Sequence, residues 1–236
     1  MIAVAERRVA AIHQPQYLPW LGYFDKLLAA DVFVYLDDVQ YVKNEWKNRN
    51  KIKITTGTTW LTVPVNYRFG QTIREVTIAD PDFGRRHCQA LKTYYGRCPS
   101  FDEVYPAVEE VVRRPHPLLA ELCIELTEVL LGFLGPAPPR LRSSTIEKRE
   151  GPTTRLIDLC LAVQATHYLS GPAGRDYLDL DRFTEAGLAV LFHEYEHPVY
   201  PQRWDAFVSH LAVIDLLLNV GAERSREVLL SGRRNP

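Results

Sequence analysis

The sequence predicts an α/β fold, a mostly parallel sheet flanked by helices, from three observations. A short apolar run, Val9-Ala10-Ala11-Ile12, is followed by a helix-length segment at residues 21–30 and a second apolar run at 31–36. That spacing is a βαβ unit, whose crossover should be right-handed and whose strands should therefore be parallel. The last third repeats the alternation, with a helix at 153–164 and strands at 166–170 and 188–192.

The middle of the chain breaks the pattern. Residues 50–55 and 59–65 read as a hairpin-like pair around Gly57, and 73–78 as one more strand. From 82 to 135 the periodicity is helical, most clearly at 118–134, until Gly135-Pro136-Ala137-Pro138-Pro139 stops it. A return strand is expected at 140–146, a tight turn at Gly171-Pro172-Ala173-Gly174 and a last helix at 211–219. Residues 1–232 thus read as one α/β domain with a mainly helical segment at about 82–135, and 233–236 as a polar tail.

The chain has 236 residues and a formal net charge of −1, which gives no electrostatic reason to expect nucleic acid or an anionic membrane as partner. Four cysteines, Cys88, Cys98, Cys123 and Cys160, form no CxxC pair, and no stretch approaches 18 apolar residues. The expectation is a cytoplasmic protein that binds a small molecule.

Polar and aromatic groups crowd the ends of the first two strands, where open α/β sheets carry their ligands. His13 directly follows the first strand; it is a candidate general base, against the plainer role of ordering the Pro15–Pro19 loop. Asp37 and Asp38 end the second strand, as a metal site, a partner for His13 or a turn cap. Adjacent residues of an extended chain point opposite ways, so at most one should be catalytic. Lys43 and Arg49, with Trp46 between them, suit an anionic, partly flat ligand such as a nucleotide or pantetheine arm, or else form a solvated basic loop. Tyr17, Trp20 and Tyr23 belong either to the site or to the core.

Two motifs weigh less than they first suggest. His193-Glu194-Tyr195-Glu196-His197 matches HExxH, yet it ends a strand and runs into Pro198, so the helix that aligns two zinc ligands is not expected. No metal site is therefore assigned. The turn at 171–174 is neither GxGxxG nor a Walker loop; Arg175, Asp176 and Tyr177 beside it are the residues placed to touch ligand. Cys98, in Arg97-Cys98-Pro99-Ser100, is the one cysteine in a turn and the candidate nucleophile.

The string IHQPQYLPWLGYFDKLLAADVFVYLDDVQYVKNEWKNRNKIK, the WLTVPV strand, the YLSGPAGRDYL turn, the VYPQ segment and the closing LAVIDLLLNVG together resemble the WbqC-like protein family. The resemblance implies kinship with proteins encoded among O-antigen and secondary-metabolite genes, and a role in attaching an amino acid such as glycine to an amino sugar. Residue by residue it points to His13, Gln14, Tyr17, Gly22, Tyr23, Lys26, Asp37, Asp38, Gln40, Trp46, Asn48, Arg49, Gly171, Gly174, Tyr177, Tyr200, Gln202, Asp215 and Asn219. His193 and His197 lie outside that pattern. A more distant similarity, to nucleotidylyltransferases of the HUP type, implies a Rossmann-like sheet, although Pro15 and Gln16 stand where the HxGH motif would continue.

Three functions follow as expectations. The first is a transferase that forms an amide by moving an acyl or aminoacyl group from a thioester, on coenzyme A or the phosphopantetheine of an acyl or peptidyl carrier protein, to an amine. No resident cofactor is expected. His13 would be the base, Asp37 or Asp38 its orienter, Gln14, Asn48 and Tyr177 the donors or positioning groups, and Lys43 and Arg49 the phosphate holders. Tyr17, Tyr23, Gln40, Trp46, Gly171, Gly174, Tyr200 and Gln202 complete the expected binding set. The alternatives are a nucleotidylyltransferase or ATP-dependent ligase, and a non-catalytic ligand-binding protein.

Overall fold

The computed structural model describes residues 6–43, 45–204 and 206–234. Strand β1 (Val9–His13) is apolar and buried up to its final histidine. The prolines at 15 and 19 hold the next segment out of helix, and α1 (Leu21–Leu28) begins directly after Trp20. A Cβ on Gly22 would lie 2.2 Å from the Trp20 ring, so only glycine lets that ring rest on the helix. Strand β2 (Val32–Tyr35) then pairs parallel with β1, from Ala10 opposite Val32 to His13 opposite Tyr35.

The chain next leaves the sheet. Strands β3 (Arg49–Ile54) and β4 (Gly57–Thr62) form the expected antiparallel hairpin, with Gly57 at φ +128° in its turn. Strands β5 (Val65–Asn66) and β6 (Thr77–Ile78) are a two-residue antiparallel pair. The strand expected at 73–78 is shorter because Ile73–Glu75 coils into a 3₁₀ turn. The Glu75 carboxylate accepts from the Thr72 amide at 2.8 Å and its hydroxyl at 2.7 Å, a capping box that competes with extended backbone. Helices α2 (Phe83–Tyr95), α3 (Phe101–Arg113) and α4 (Leu119–Leu134) make up the helical segment.

The return strand β7 (Arg140–Arg142) pairs parallel with β2 and stops at residue 142, not 146, because Ser143–Thr145 turns in 3₁₀ form to meet Asp37. There follow α5 (Pro152–Ala162), β8 (His167–Ser170), a 3₁₀ turn at Pro172–Asp176, α6 (Leu180–Glu185), β9 (Ala189–Phe192) and β10 (Glu194–Tyr195). The chain closes with α7 (Val213–Val220), α8 (Ala222–Ser231) and β11 (Arg233–Arg234).

Residues 233–234 are not a tail. Strand β11 pairs antiparallel with β10, and Arg233 reaches into the fold to bond Asp25. Pro236 and residue 235, the rest of that expected tail, lie outside the described residues.

The central sheet is all parallel, in the order β7-β2-β1-β8-β9. Alternate residues of its strands supply two cores, as a pleated strand buried on both faces requires. Val9, Ala11, Phe33 and Tyr35 pack with α1, α4 and α7, while Ala10, Ile12, Val32 and Val34 pack with α5 and Phe183 of α6. From β1 the chain moves one way to β2 and later the other way to β8. The topological switch point, where this architecture opens a crevice, therefore lies between β1 and β8. Among the described residues no helix is long and apolar enough to cross a membrane.

Candidate functional site

A cavity of about 320 Å³ sits at that point. Ile12, His13 and Gln14 enter it from the end of β1, Leu36 and Val39 from beyond β2, and Tyr168, Gly171, Gly174 and Tyr177 from β8 and the turn that follows it. Lys26 of α1 and Pro152, Arg155 and Leu156 of α5 complete the wall. Among the described residues no aspartate or glutamate lines the cavity.

His13 donates from Nδ1 to the Gln14 carbonyl at 3.1 Å, since a carbonyl can only accept, which leaves Nε2 as the ring's acceptor. Its ring meets Tyr23 edge-on at 4.8 Å. Burial first, and then the positive charges of Lys26 and Lys47, push its pKa down to about 3, so the imidazole is neutral. Lys26 is 4 % exposed and donates to the Ile12 carbonyl at 2.9 Å. Burial lowers its pKa to about 7. A neutral acceptor and a lysine that titrates near neutrality thus face one small space.

Of the residues expected in a site, His13, Gln14, Gly171, Gly174 and Tyr177 converge here. Gly174 packs so closely that a Cβ would lie 2.0 Å from the Ser170 hydroxyl. Asp37 and Asp38 turn away instead. Asp37 accepts from the Ser144 amide at 3.0 Å and the Ser143 and Ser144 hydroxyls at 3.1 and 2.8 Å. Asp38 pairs with Lys148 and shares the single Ser143 hydroxyl hydrogen with Asp37. These bonds lock β2 to the turn after β7, and His13 has Gln14 and Tyr23 as its neighbours in their place. The hydrogen-bond partner of the His13 ring is the Gln14 carbonyl and not an aspartate.

The other expected residues also lie outside the cavity wall. Tyr17 is core and shares a 2.8 Å hydrogen bond with His87. Asn48 is buried, donates to the Val63 carbonyl at 2.9 Å and accepts at its backbone carbonyl from the Val63 amide at 2.8 Å, closing the open end of the hairpin. Gln40 is exposed and bridges Thr72, and Lys43 is exposed on the loop beyond it. Trp46 lies 5.4 Å from Trp60, over which Arg49 stacks at 4.4 Å, on the outer face of the hairpin. Tyr200 and Gln202 donate, each at 2.9 Å, to the buried Asp215, which also accepts from Tyr95 at 2.7 Å. That network ties α2 and α7 to the loop between β10 and α7.

The HExxH string is not helical, because β10 occupies its centre. His193 bonds Asp25, and His197 bonds the Pro198 carbonyl at 2.9 Å. All four cysteines are free and buried; burial raises the Cys98 thiol to about 11, which leaves little thiolate for the nucleophilic role considered for it.

The WbqC-like protein family model matches residues 14–227. The chain belongs to that family. An uncharacterized protein of Mycobacterium tuberculosis, Rv1507c, is 38 % identical to it over 217 residues, covering 90 % of this chain and 94 % of that one. No solved structure matches at a significant level.

Two charged members of this WbqC-like cavity were not among the expected site residues: Lys26, which entered only through the family pattern, and Arg155. Lys26 carried a signal of its own. The helix Leu21-Gly22-Tyr23-Phe24-Asp25-Lys26-Leu27-Leu28 is apolar on nearly every face, so two adjacent charges within it must both be buried and must point to different partners. Arg155 sits in an ordinary amphipathic helix, and only the packing of α5 beside β1 reveals it.

Proposed function

We propose that this WbqC-like protein is a transferase that forms an amide at the cavity between β1 and β8. The convergence of His13, Gln14, Lys26 and Tyr177 in one small space carries the reading. The donor is an acyl or aminoacyl thioester, on coenzyme A or a carrier protein, and the acceptor is a small-molecule amine such as an amino sugar. The amine nitrogen attacks the thioester carbonyl, the carbon–sulfur bond breaks, and the amine proton ends on the departing thiol.

His13 suits the proton transfer because its Nε2 is a bare acceptor, and Gln14 and Tyr177 supply donors for the oxyanion. A free imidazole with a pKa of about 3 is a weak base, so an anionic donor that offsets Lys26 would sharpen His13 for its task.

The test mixes the protein with glycyl-coenzyme A and an amino sugar, and follows thiol release together with the mass of the amide. His13→Gln and His13→Ala should both slow transfer by about 10²- to 10⁴-fold while keeping the melting temperature within a few degrees. Glycine-dependent release of pyrophosphate from ATP, with no thioester turnover, would replace this reading with the ATP-dependent ligase.

A further inference from the structure

We infer that the cavity binds the phosphate of an organic phosphate ester, with Lys26 and Arg155 as its counter-charges. The inference shares the cavity of the proposed transfer and names what the ligand must carry.

The argument begins with an unbalanced charge. Lys26 is buried, and among the described residues no carboxylate lies within ion-pair distance of it. Its ammonium has three N–H groups, of which the Ile12 carbonyl takes one. An isolated buried ammonium is among the costliest groups a protein can hold, which is why burial brings Lys26 down to about 7, and a negative charge beside it would restore the full ammonium. The adjacent Asp25 cannot balance it, because that carboxylate points elsewhere and is held by His193 and Arg233. The two remaining N–H groups and the missing negative charge are what an anionic ligand would supply.

A second cation stands on the same wall. Arg155, itself mostly buried at 18 % exposure, pairs with Glu150, whose carboxylate is 92 % exposed and so screened by water. A phosphate in the cavity offers the guanidinium two parallel hydrogen bonds in a drier place. With two cations, a neutral His13 and no lining carboxylate, the site matches a dianion better than a monoanionic carboxylate. The first turn of α5, with Pro152 on the same wall, adds favourable potential without being needed for the argument.

The rest of the wall specifies an organic portion. Ile12, Leu36, Val39 and Leu156 are aliphatic, Tyr168 and Tyr177 present aromatic surface, and about 320 Å³ suits a small molecule and far exceeds the needs of a bare ion. The phosphate holders expected from the sequence, Lys43 and Arg49, lie outside this wall; the structure moves the role to Lys26 and Arg155.

The test is titration calorimetry on the full chain with inorganic phosphate, adenosine monophosphate and sodium acetate. Both phosphates should bind, the nucleotide more tightly, and acetate should not. Lys26→Met and Arg155→Gln should each weaken nucleotide binding at least about tenfold, whereas Lys51→Gln on the outer hairpin should leave it unchanged. Should Lys26→Met fail to fold, Arg155→Gln alone decides. Acetate binding as tightly as phosphate, absence of saturable phosphate binding, or full affinity in Arg155→Gln would each overturn the inference. The two readings fail separately: nucleotide binding without thioester turnover removes the transferase and leaves the phosphate site, while transfer whose KM for donor and acceptor alike ignores both substitutions does the reverse.

Discussion

His193 donates from Nε2 to Asp25 at 2.7 Å, joining the end of the central sheet to a carboxylate buried inside α1. Arg233 bonds the same carboxylate at 2.9 Å and the Asp25 carbonyl at 3.2 Å. Removing either partner leaves a buried negative charge under-satisfied. Arg233→Ala should therefore cost about 1–3 kcal/mol, and Asp25→Ala more, because it strands both His193 and Arg233. Urea unfolding of the two variants checks this, with an unchanged midpoint for Arg233→Ala as the contrary result.

Asp37 separates a structural from a catalytic carboxylate. It accepts from one amide and two hydroxyls that bind β2 to the turn after β7, so Asp37→Ala should lower stability by about 2–4 kcal/mol. Asp37→Asn keeps the size but loses acceptor capacity and should fall between. A variant that melts like the parent yet has lost all activity would restore the catalytic reading.

Acid should destabilise the protein over a defined window. His13 titrates near 3 and His87 near 4 in the fold, both held down mainly by burial, against about 6.5 when unfolded. Between those values the unfolded chain binds more protons, so stability is fully present above pH 6.5 and drains away as pH falls toward 4. Urea midpoints measured from pH 7 to pH 4.5 should decline steadily, and His13→Gln should flatten part of the slope.

Lys26 predicts an opposite oddity, a substitution that removes function and adds stability. Burial lowers its pKa to about 7 from 10.5, so the folded state gains stability as pH rises from 7 toward 10.5. Lys26→Met fills a similar volume without a charge and should raise the melting temperature at pH 7 and abolish that alkaline rise. Loss of stability in Lys26→Met would mean that the bond to the Ile12 carbonyl outweighs the burial of the ammonium.

Much of the fold was readable because parallel strands buried on both faces leave unbroken apolar runs, as Val9-Ala10-Ala11-Ile12 and Val32-Phe33-Val34-Tyr35 do. Helix α8 was not, since only Ser225 and Leu229, four residues apart, are buried in an otherwise polar stretch. Gly221, at φ +86°, ends one helix and begins the next, and read from sequence it only ends. In the site, the β1 and β8 contributions were legible because chain order and strand ends bring His13 toward Gly171 and Tyr177. The two aspartates misled because a strand exit looks the same whether its carboxylate faces a cleft or, as Asp37 does, a pair of serines 106 and 107 residues away.

Asp25 and Lys26 are consecutive, yet one anchors β11 and the other floors the cavity. A single rigid turn of α1 carries both. Any rearrangement that carries the ammonium toward or away from a ligand by rotating or sliding this helix must drag the last strand with it, so the clasp at the carboxyl end works as a brake on the pocket. Movement of its backbone is opposed by a part of the chain more than two hundred residues downstream.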